Sequence, residues 1–187
     1  LSPVMAGVKL PDMIAASKRL GLRHHRPEDI ASIFESYTGD LESAKYLARL
    51  PHIDIEQTER MLRKLSTSQS LALTGKCIWV IEAITDGTAV GLITVTRGDE
   101  SMAVHFGIGV PYRGRGYAAE ALELAAKHLL SAGQATSISS FTDVENVAAQ
   151  AALVKAGFVF TERANDFYQA PQLNGGYRGV FLYQFRA

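Results

Sequence analysis

The chain is short of most features that mark a cross-linked fold or a specialised surface. It has one cysteine, Cys77, so no internal disulfide can form. A thiolate zinc cluster, which needs several cysteines around one ion, is excluded. No charge of either sign predominates. Lys+Arg and Asp+Glu are both 19 and the formal net charge is 0, so neither nucleic acid nor an anionic membrane is an expected partner. No apolar run approaches the roughly 20 residues that span a bilayer. No fixed-period repeat and no Pro/Gly/Ser-rich linker divides the chain. The five histidines are scattered, with His24 and His25 adjacent rather than at chelating helical spacing, and no metal is expected. The opening Leu1-Ser2-Pro3-Val4-Met5 has no basic region ahead of a long apolar stretch. No signal peptide is therefore expected, Met5 is a candidate start, and a cytoplasmic location is the expectation.

What is present suffices for one core. The 187 residues are 47% hydrophobic and 20% charged, a balance that rules out disorder and fits a single domain at about 100–200 residues each. The first seventeen residues are weakly patterned and are set apart as an N-terminal extension of uncertain structure, with one domain over 18–187. Residues 18–24 can form a first strand. Pro27-Glu28-Asp29 opens a helix whose apolar stripe is Ile30, Ile33, Phe34 and Tyr37, at i, i+3, i+4 and i+7. Asp40 can cap a second helix closed by Pro51, and Asp54 a third that buries Ile55, Met61, Leu62 and Leu65.

The period then changes. Residues 77–83 and 89–96 are rich in Ile, Val, Trp and Thr and are joined through Asp86-Gly87, a hairpin pattern. A strand over 103–110 leads to a helix over about 114–131, buried along Ala118, Ala121, Leu122, Ala125 and Leu129. A strand over 136–141 follows, then a helix over 146–156 ended by Gly157, the left-handed cap. Residues 158–162 and 179–185 are closing strands. The order is helices, an antiparallel meander, then β-α-β-α-β-β, a mixed α/β (α+β) single domain.

Chemistry concentrates in Val104-His105-Phe106-Gly107-Ile108-Gly109-Val110-Pro111-Tyr112-Arg113-Gly114-Arg115-Gly116-Tyr117-Ala118-Ala119-Glu120-Ala121-Leu122. A strand runs into a basic, glycine-rich turn that opens an amphipathic helix. Glycines allow close backbone approach, the first helical N–H groups lack intrahelical partners, and the helix dipole favours an anion there. Arg113 and Arg115 add full positive charge. The plainer reading of the same residues is a tight turn with solvated arginines. A P-loop would need Gly-x-x-x-x-Gly-Lys-Ser/Thr, which is absent. Gly114 to Ala119 does fit the dinucleotide pattern G-x-G-x-x-A, and Asp143 ends the next strand. That fold, however, begins with its fingerprint and continues through several parallel strands, whereas a hairpin precedes this turn.

In the register Arg113-x-x-Gly116-x-Ala118, the run resembles the GNAT superfamily of acyl-CoA-dependent N-acetyltransferases, and within it the ribosomal-protein (alanine) N-acetyltransferase branch. A second block, Asn146-Val147-Ala148-Ala149-Gln150-Ala151-Ala152-Leu153-Val154-Lys155-Ala156-Gly157-Phe158, is similar to that branch's Asn-x-x-Ser…Leu-x-Lys-x-Gly-Phe. A weaker echo is Leu22-Arg23…Arg26-Pro27-Glu28-Asp29. The resemblance implies a mostly antiparallel, splayed central sheet flanked by helices, with acetyl-CoA as acyl donor. Arg113, Gly114, Arg115, Gly116, Tyr117 and Ala118 would hold the pyrophosphate. Ile108, Gly109 and Val110 would offer backbone groups to the pantetheine arm, and Asn146 would contact its far side. Asn146 is also a good N-cap. The implied reaction is direct acetyl transfer to a primary amine, either a protein N-terminus or a small molecule, with a homodimer as an open assembly. Three family positions depart from pattern: Leu153 stands where many members have a tyrosine acid, Ala149 where the branch has serine, and Ala103 where a carboxylate is common.

Alternation along 103–110 sends Val104, Phe106, Ile108 and Val110 to one face, the core. Ala103, His105, Gly107 and Gly109 take the other, where small residues leave room for a ligand. His105 is therefore the candidate general base, with a surface or structurally bonded histidine as the plainer reading. Tyr168 and Tyr177, in the polar link before the last strand, are candidates for the amine side. Two other readings stay open, a coenzyme A-binding module without turnover and a nicotinamide-dinucleotide enzyme.

Overall fold

The computed structural model describes residues 13–173 and 175–186. Its elements are β1 (Met13–Ala16), β2 (Leu20–Arg23), α1 (Asp29–Ile33) running on into a π-helical turn (Phe34–Thr38), α2 (Ile55–Leu65), α3 (Ser70–Thr74), β3 (Lys76–Ala83), β4 (Thr88–Arg97), β5 (Met102–Ile108), α4 (Tyr117–Ser131), β6 (Ile138–Asp143), α5 (Val147–Lys155), β7 (Val159–Tyr168) and β8 (Arg178–Phe185). The eight strands form one sheet in the order β1-β2-β3-β4-β5-β6-β8-β7. Every neighbouring pair is antiparallel except β5–β6, which the crossover through α4 makes parallel. One parallel pair in a meander is not a doubly wound sheet, so the dinucleotide reading fails on topology.

Both faces of the sheet are covered. Leu122, Ala125 and Leu129 of α4 and Leu153 of α5 pack on Ile81, Ile93, Val104 and Ile138. On the opposite face Ile30 and Ile33 of α1 and Leu62 of α2 pack on Ile78, Val80 and Leu92. The β5–β6 ladder holds only Met102↔Ile138 and Ala103↔Ser139. Beyond it the two strands part, and the sheet is splayed open in its middle.

Several local expectations change. Met13–Ala16, inside the stretch set apart as an extension, pairs with β2; residues 1–12 lie outside those described. The helix expected between Asp40 and Pro51 is a chain of turns. Asp40 does take the N–H and hydroxyl of Ser43, but Leu41 and Leu50 are 67% and 59% exposed. Without a buried apolar stripe a short helix has too little to stabilise it. The short α3 is a helical turn that no N-cap side chain or apolar stripe in the sequence marks. α4 starts at Tyr117, with Gly116 as its left-handed N-cap, and Ala118 is only half-buried. β7 runs on to Tyr168 because pairing with β8 outweighs its polar composition. Val110 leaves the core face: β5 stops at Ile108, and Val110, 44% exposed, enters a 3₁₀ turn with Pro111 and Tyr112.

Candidate active site

The basic turn leaves a row of backbone donors open beside its arginines. Gly114 and Gly116 hold φ of 76° and 78°, a region that L side chains enter only at a cost. Among the described residues no group takes a hydrogen bond from the N–H groups of Gly114 through Ala119. Six backbone donors are therefore free at the start of a fifteen-residue helix. The arginines also brace the turn. Arg113 donates from Nε to the Ile108 carbonyl (3.2 Å) and from Nη2 to Ser43 Oγ (2.6 Å), and Arg115 donates to the Pro111 carbonyl (3.3 Å). Two further cations close in. A Cβ added at Gly116 would lie 3.3 Å from Lys155 Nζ and 3.5 Å from Arg19 Nη2. Arg19 is held there by Glu120 (2.9 Å) and by the Arg115 carbonyl (2.8 Å).

From this turn a cleft of about 1050 Å³ runs through the split between β5 and β6 to the opposite sheet face. Ser140 Oγ donates to the Val104 carbonyl (2.7 Å) at the mouth of the split. Two residues on, Thr142 Oγ1 lines the cleft, buried and without a partner. A buried orphan hydroxyl is costly, and here it faces the path of a polar ligand. The N–H of Gly109 is already given to the Val90 carbonyl (2.8 Å), so of the three residues proposed for the arm Gly109 has no free donor. Asn146 lines the same cleft and caps α5, its Oδ1 accepting from the Ala149 N–H (3.2 Å).

On the far face, register sets out the floor. One row is Lys76, Thr96, Ala103 and Ser139; the next is Ile78, Thr94 and His105; the third is Val80, Leu92 and Gly107. His105 does face the cleft, with its ring packed edge-on to Phe141 at 4.6 Å. Burial, and then the Lys76 charge, pulls its pKa down to about 4. The space over Gly107 and Gly109, expected to admit a ligand, is filled by protein: a Cβ there would collide with Tyr37 and with Ser36 and Tyr112 respectively.

Tyr168 donates to Asp143 Oδ2 (2.7 Å). Asp143 also accepts from Arg178 at 2.6 and 3.1 Å and from the Glu145 N–H at 2.9 Å. Burial and the adjacent carboxylate raise the Tyr168 pKa, so its proton is committed to Asp143 and the residue secures the loop at the end of β6. Tyr177 is 62% exposed and does not line the cleft. Tyr37, Thr142 and Lys155 were given no functional role by sequence, since their only signals are membership of an apolar stripe, a strand and a helix end.

Residues 19–159 match the family model described as acetyltransferase (GNAT) domain. The chain belongs to the GNAT acetyltransferase family. No curated protein sequence matches it. Among solved structures it is similar to a GNAT acetyltransferase from Bacillus anthracis (17% identity, TM-score 0.79, covering 92% of this chain and 97% of that one). It is similar also to the Salmonella typhimurium acetyl transferase that modifies the N-terminal serine of ribosomal protein L7/L12 (14%, 0.78, 94% and 99%). A third similar structure is the spermidine N-acetyltransferase of Vibrio cholerae, solved with CoA and spermine (17%, 0.73, 90% and 96%). In this GNAT acetyltransferase the free amides, the surrounding cations and the orphan Thr142 hydroxyl fit coenzyme A: pyrophosphate oxygens for the amides, an amide-bearing arm for the split sheet.

Asn146 offers a test of that fit. Asn146→Asp preserves the cap, because aspartate caps as well as asparagine, but exchanges an amide donor for negative charge. Calorimetry should show acetyl-CoA bound about tenfold more weakly or worse, the worth of one hydrogen bond of about 1–1.5 kcal/mol, with Tm unchanged. Unchanged affinity would restrict Asn146 to capping.

Proposed function

We infer that this GNAT acetyltransferase moves an acetyl group from acetyl-CoA directly to a neutral primary amine. The observation carrying this reading is one continuous cleft. It joins the amide cradle at Arg113–Ala118 to the split in the sheet and to the His105 face, so donor and acceptor meet without a covalent enzyme intermediate. The chemistry supplied by the coenzyme is an activated thioester. The protein aligns the amine against it and handles protons.

Charge on the acceptor side favours some amines over others. Lys45, Arg49 and Lys76 line this part of the cleft. Of the two carboxylates there, Asp143 is paired with Arg178 and Glu42 is at the exposed rim. Such a surface suits the amino terminus of a neutral or acidic peptide, or a small amine bearing an anionic group, better than a polycation. Thiol release should be measured over peptide amino termini, small amines and spermidine, alongside calorimetry with acetyl-CoA and NADH. Turnover with a neutral or acidic peptide exceeding that with spermidine supports the reading. Binding of acetyl-CoA with no thiol release for any amine would leave a coenzyme-binding module, the alternative that the departures at Ala149 and Leu153 favour.

His105 is the proton acceptor in this scheme. With a pKa of about 4 its imidazole stays neutral well below pH 7; it is available but a weak base, so it relays the proton shed by the attacking nitrogen onward to water rather than holding it. His105→Ala should lower kcat ~10²-fold, the lower end of general-base effects, with acetyl-CoA affinity unchanged. Activity that needs the neutral ring is lost as pH falls through about 4, not through the ordinary histidine value of ~6.5. A loss under tenfold with the same acidic limb would remove His105 from the reaction.

A further inference from the structure

Among the described residues four arginines are at least partly buried: Arg23, Arg26, Arg49 and Arg178. Arg23 pairs with Asp29 and Glu82, Arg26 with Glu82, and Arg178 with Asp143 and Glu145. Arg49 is the exception. Its Nη1 donates to the carbonyl of the next residue, Leu50 (3.1 Å), and it forms no ion pair with any described residue. A guanidinium withdrawn from water is ordinarily matched by a carboxylate. This one lines the cleft, and its charge acts on Tyr37 and His52. Neither is an anion at neutral pH. Burial raises the Tyr37 pKa, and burial followed by the Arg49 charge lowers that of His52 to about 4.

The chain holds this cation in place. The turns between Asp40 and Pro51 form a strap that is tied down along its length. Gln172 donates to the Leu41 carbonyl (2.9 Å), Arg113 to Ser43 Oγ (2.6 Å) and the Tyr46 hydroxyl to the Glu145 carbonyl (3.4 Å). Ala44 is buried, and the His52 N–H bonds the Thr38 carbonyl (2.8 Å). Tyr37, the neighbour of Arg49, lies over Gly107, one row from His105. Arg49 therefore stands beside the part of the floor where amine and thioester meet. The other two cations there are less fixed. Lys45 sits over the Tyr46 ring (5.3 Å) and Lys76 is exposed, so they draw an anion inward without setting its position.

We propose that Arg49 is a specificity-determining residue that pairs with a carboxylate on the acceptor, within a few bonds of the amine that is acetylated. This rests on the acyl-transfer reading above. One planar guanidinium takes one carboxylate through parallel N–H donors, which matches the charge that the fold leaves unpaired. The carboxylate is the side chain of an acidic residue at the start of a peptide, or the α-carboxylate of a free amino acid. The chemistry at Arg49 is the same for both.

Matched acceptors test it. Thiol release should be measured for peptides beginning with aspartate or asparagine and otherwise identical, and for a free amino acid and its amide. The carboxylate member of a pair should show kcat/KM ~10-fold or more above its amide, the scale of one charge-assisted hydrogen bond. In Arg49→Gln that ratio should fall toward one, with the loss in KM, and Arg49→Lys should restore part of it. The same pairs are compared in each protein, so differences in amine reactivity cancel. Independently of turnover, calorimetry on the coenzyme A-loaded protein should show the N-acetylated carboxylate product binding ~10-fold more tightly than its amide, a difference lost in Arg49→Gln. Tm should not fall, because an unmatched charge is removed. A preference confined to the peptides assigns the pairing to a side chain, and one confined to the free pair assigns it to an α-carboxylate. A ratio unchanged by Arg49→Gln, in turnover and in product binding, overturns the proposal and leaves acetyl transfer standing. Absence of turnover with every amine overturns the acyl-transfer reading instead, and product binding then still decides whether Arg49 meets a carboxylate.

Discussion

Replacing Gly116 with valine is expected to weaken acetyl-CoA binding severely in a protein that still folds. Gly116 caps α4 at φ 78°, where an L side chain costs about 1–2 kcal/mol. For a domain of this size that corresponds to a Tm lower by roughly 2–8 °C. The loss of binding has a separate cause. The new side chain would stand among Lys155, Arg19 and the free amides of Tyr117 to Ala119, in the volume that an anion must enter. Each charge-assisted hydrogen bond forfeited is worth about 1.5–3 kcal/mol, so losing two weakens binding ~10²-fold or more. Gly114→Ala is the control. Its φ is 76° but nothing lies within 4 Å of the added Cβ, so it carries the backbone strain without blocking the cradle and should retain measurable affinity. Calorimetry on both variants decides. Undiminished binding by Gly116→Val would place the phosphates elsewhere, and equal losses in the two variants would trace the effect to strain.

Replacing Arg23 with methionine should produce the largest loss of stability. Arg23 is fully buried. Its Nη1 and Nη2 donate to the two oxygens of Asp29 at 2.7 and 3.0 Å, and its Nε donates to Glu82 at 2.8 Å. Removing one member of a buried ionic cluster costs about 3–5 kcal/mol, because the charges left behind are desolvated. Tm should fall by roughly 6–20 °C. Arg26 mitigates the loss: its backbone N–H bonds Asp29 at 2.6 Å and its side chain reaches Glu82 at 3.1 Å. Arg23→Met combined with Asp29→Asn should recover part of the loss. A drop under about 1 kcal/mol in denaturant unfolding, with unchanged m, would show that Arg26 alone satisfies the cluster. The cluster joins β2 and β3 to the first residue of α1, and α1 carries the turn that places Tyr37.

What the sequence by itself determined is what local chemistry can express. The glycines at 114 and 116 and the helix that follows make a turn with unpaired N–H groups beside two arginines whatever the rest of the chain does, because backbone freedom and helix-end donors belong to adjacent residues. The hairpin, the Asn146 and Asp54 caps and the core face of β5 up to Ile108 are of the same kind, set by turn residues and by period. Tertiary structure alone decided where β6 leaves β5: β6 stays paired with β8 along Ile138–Asp143 but with β5 only at Ile138 and Ser139. It also decided that the room above Gly107 holds a ring 70 positions earlier in the chain, and that Asp143, Tyr168 and Arg178 converge from three elements. Periodicity reports that Tyr37 is buried in a helical stripe. Which atoms its hydroxyl meets depends on long-range packing, and a one-dimensional pattern carries no term for that.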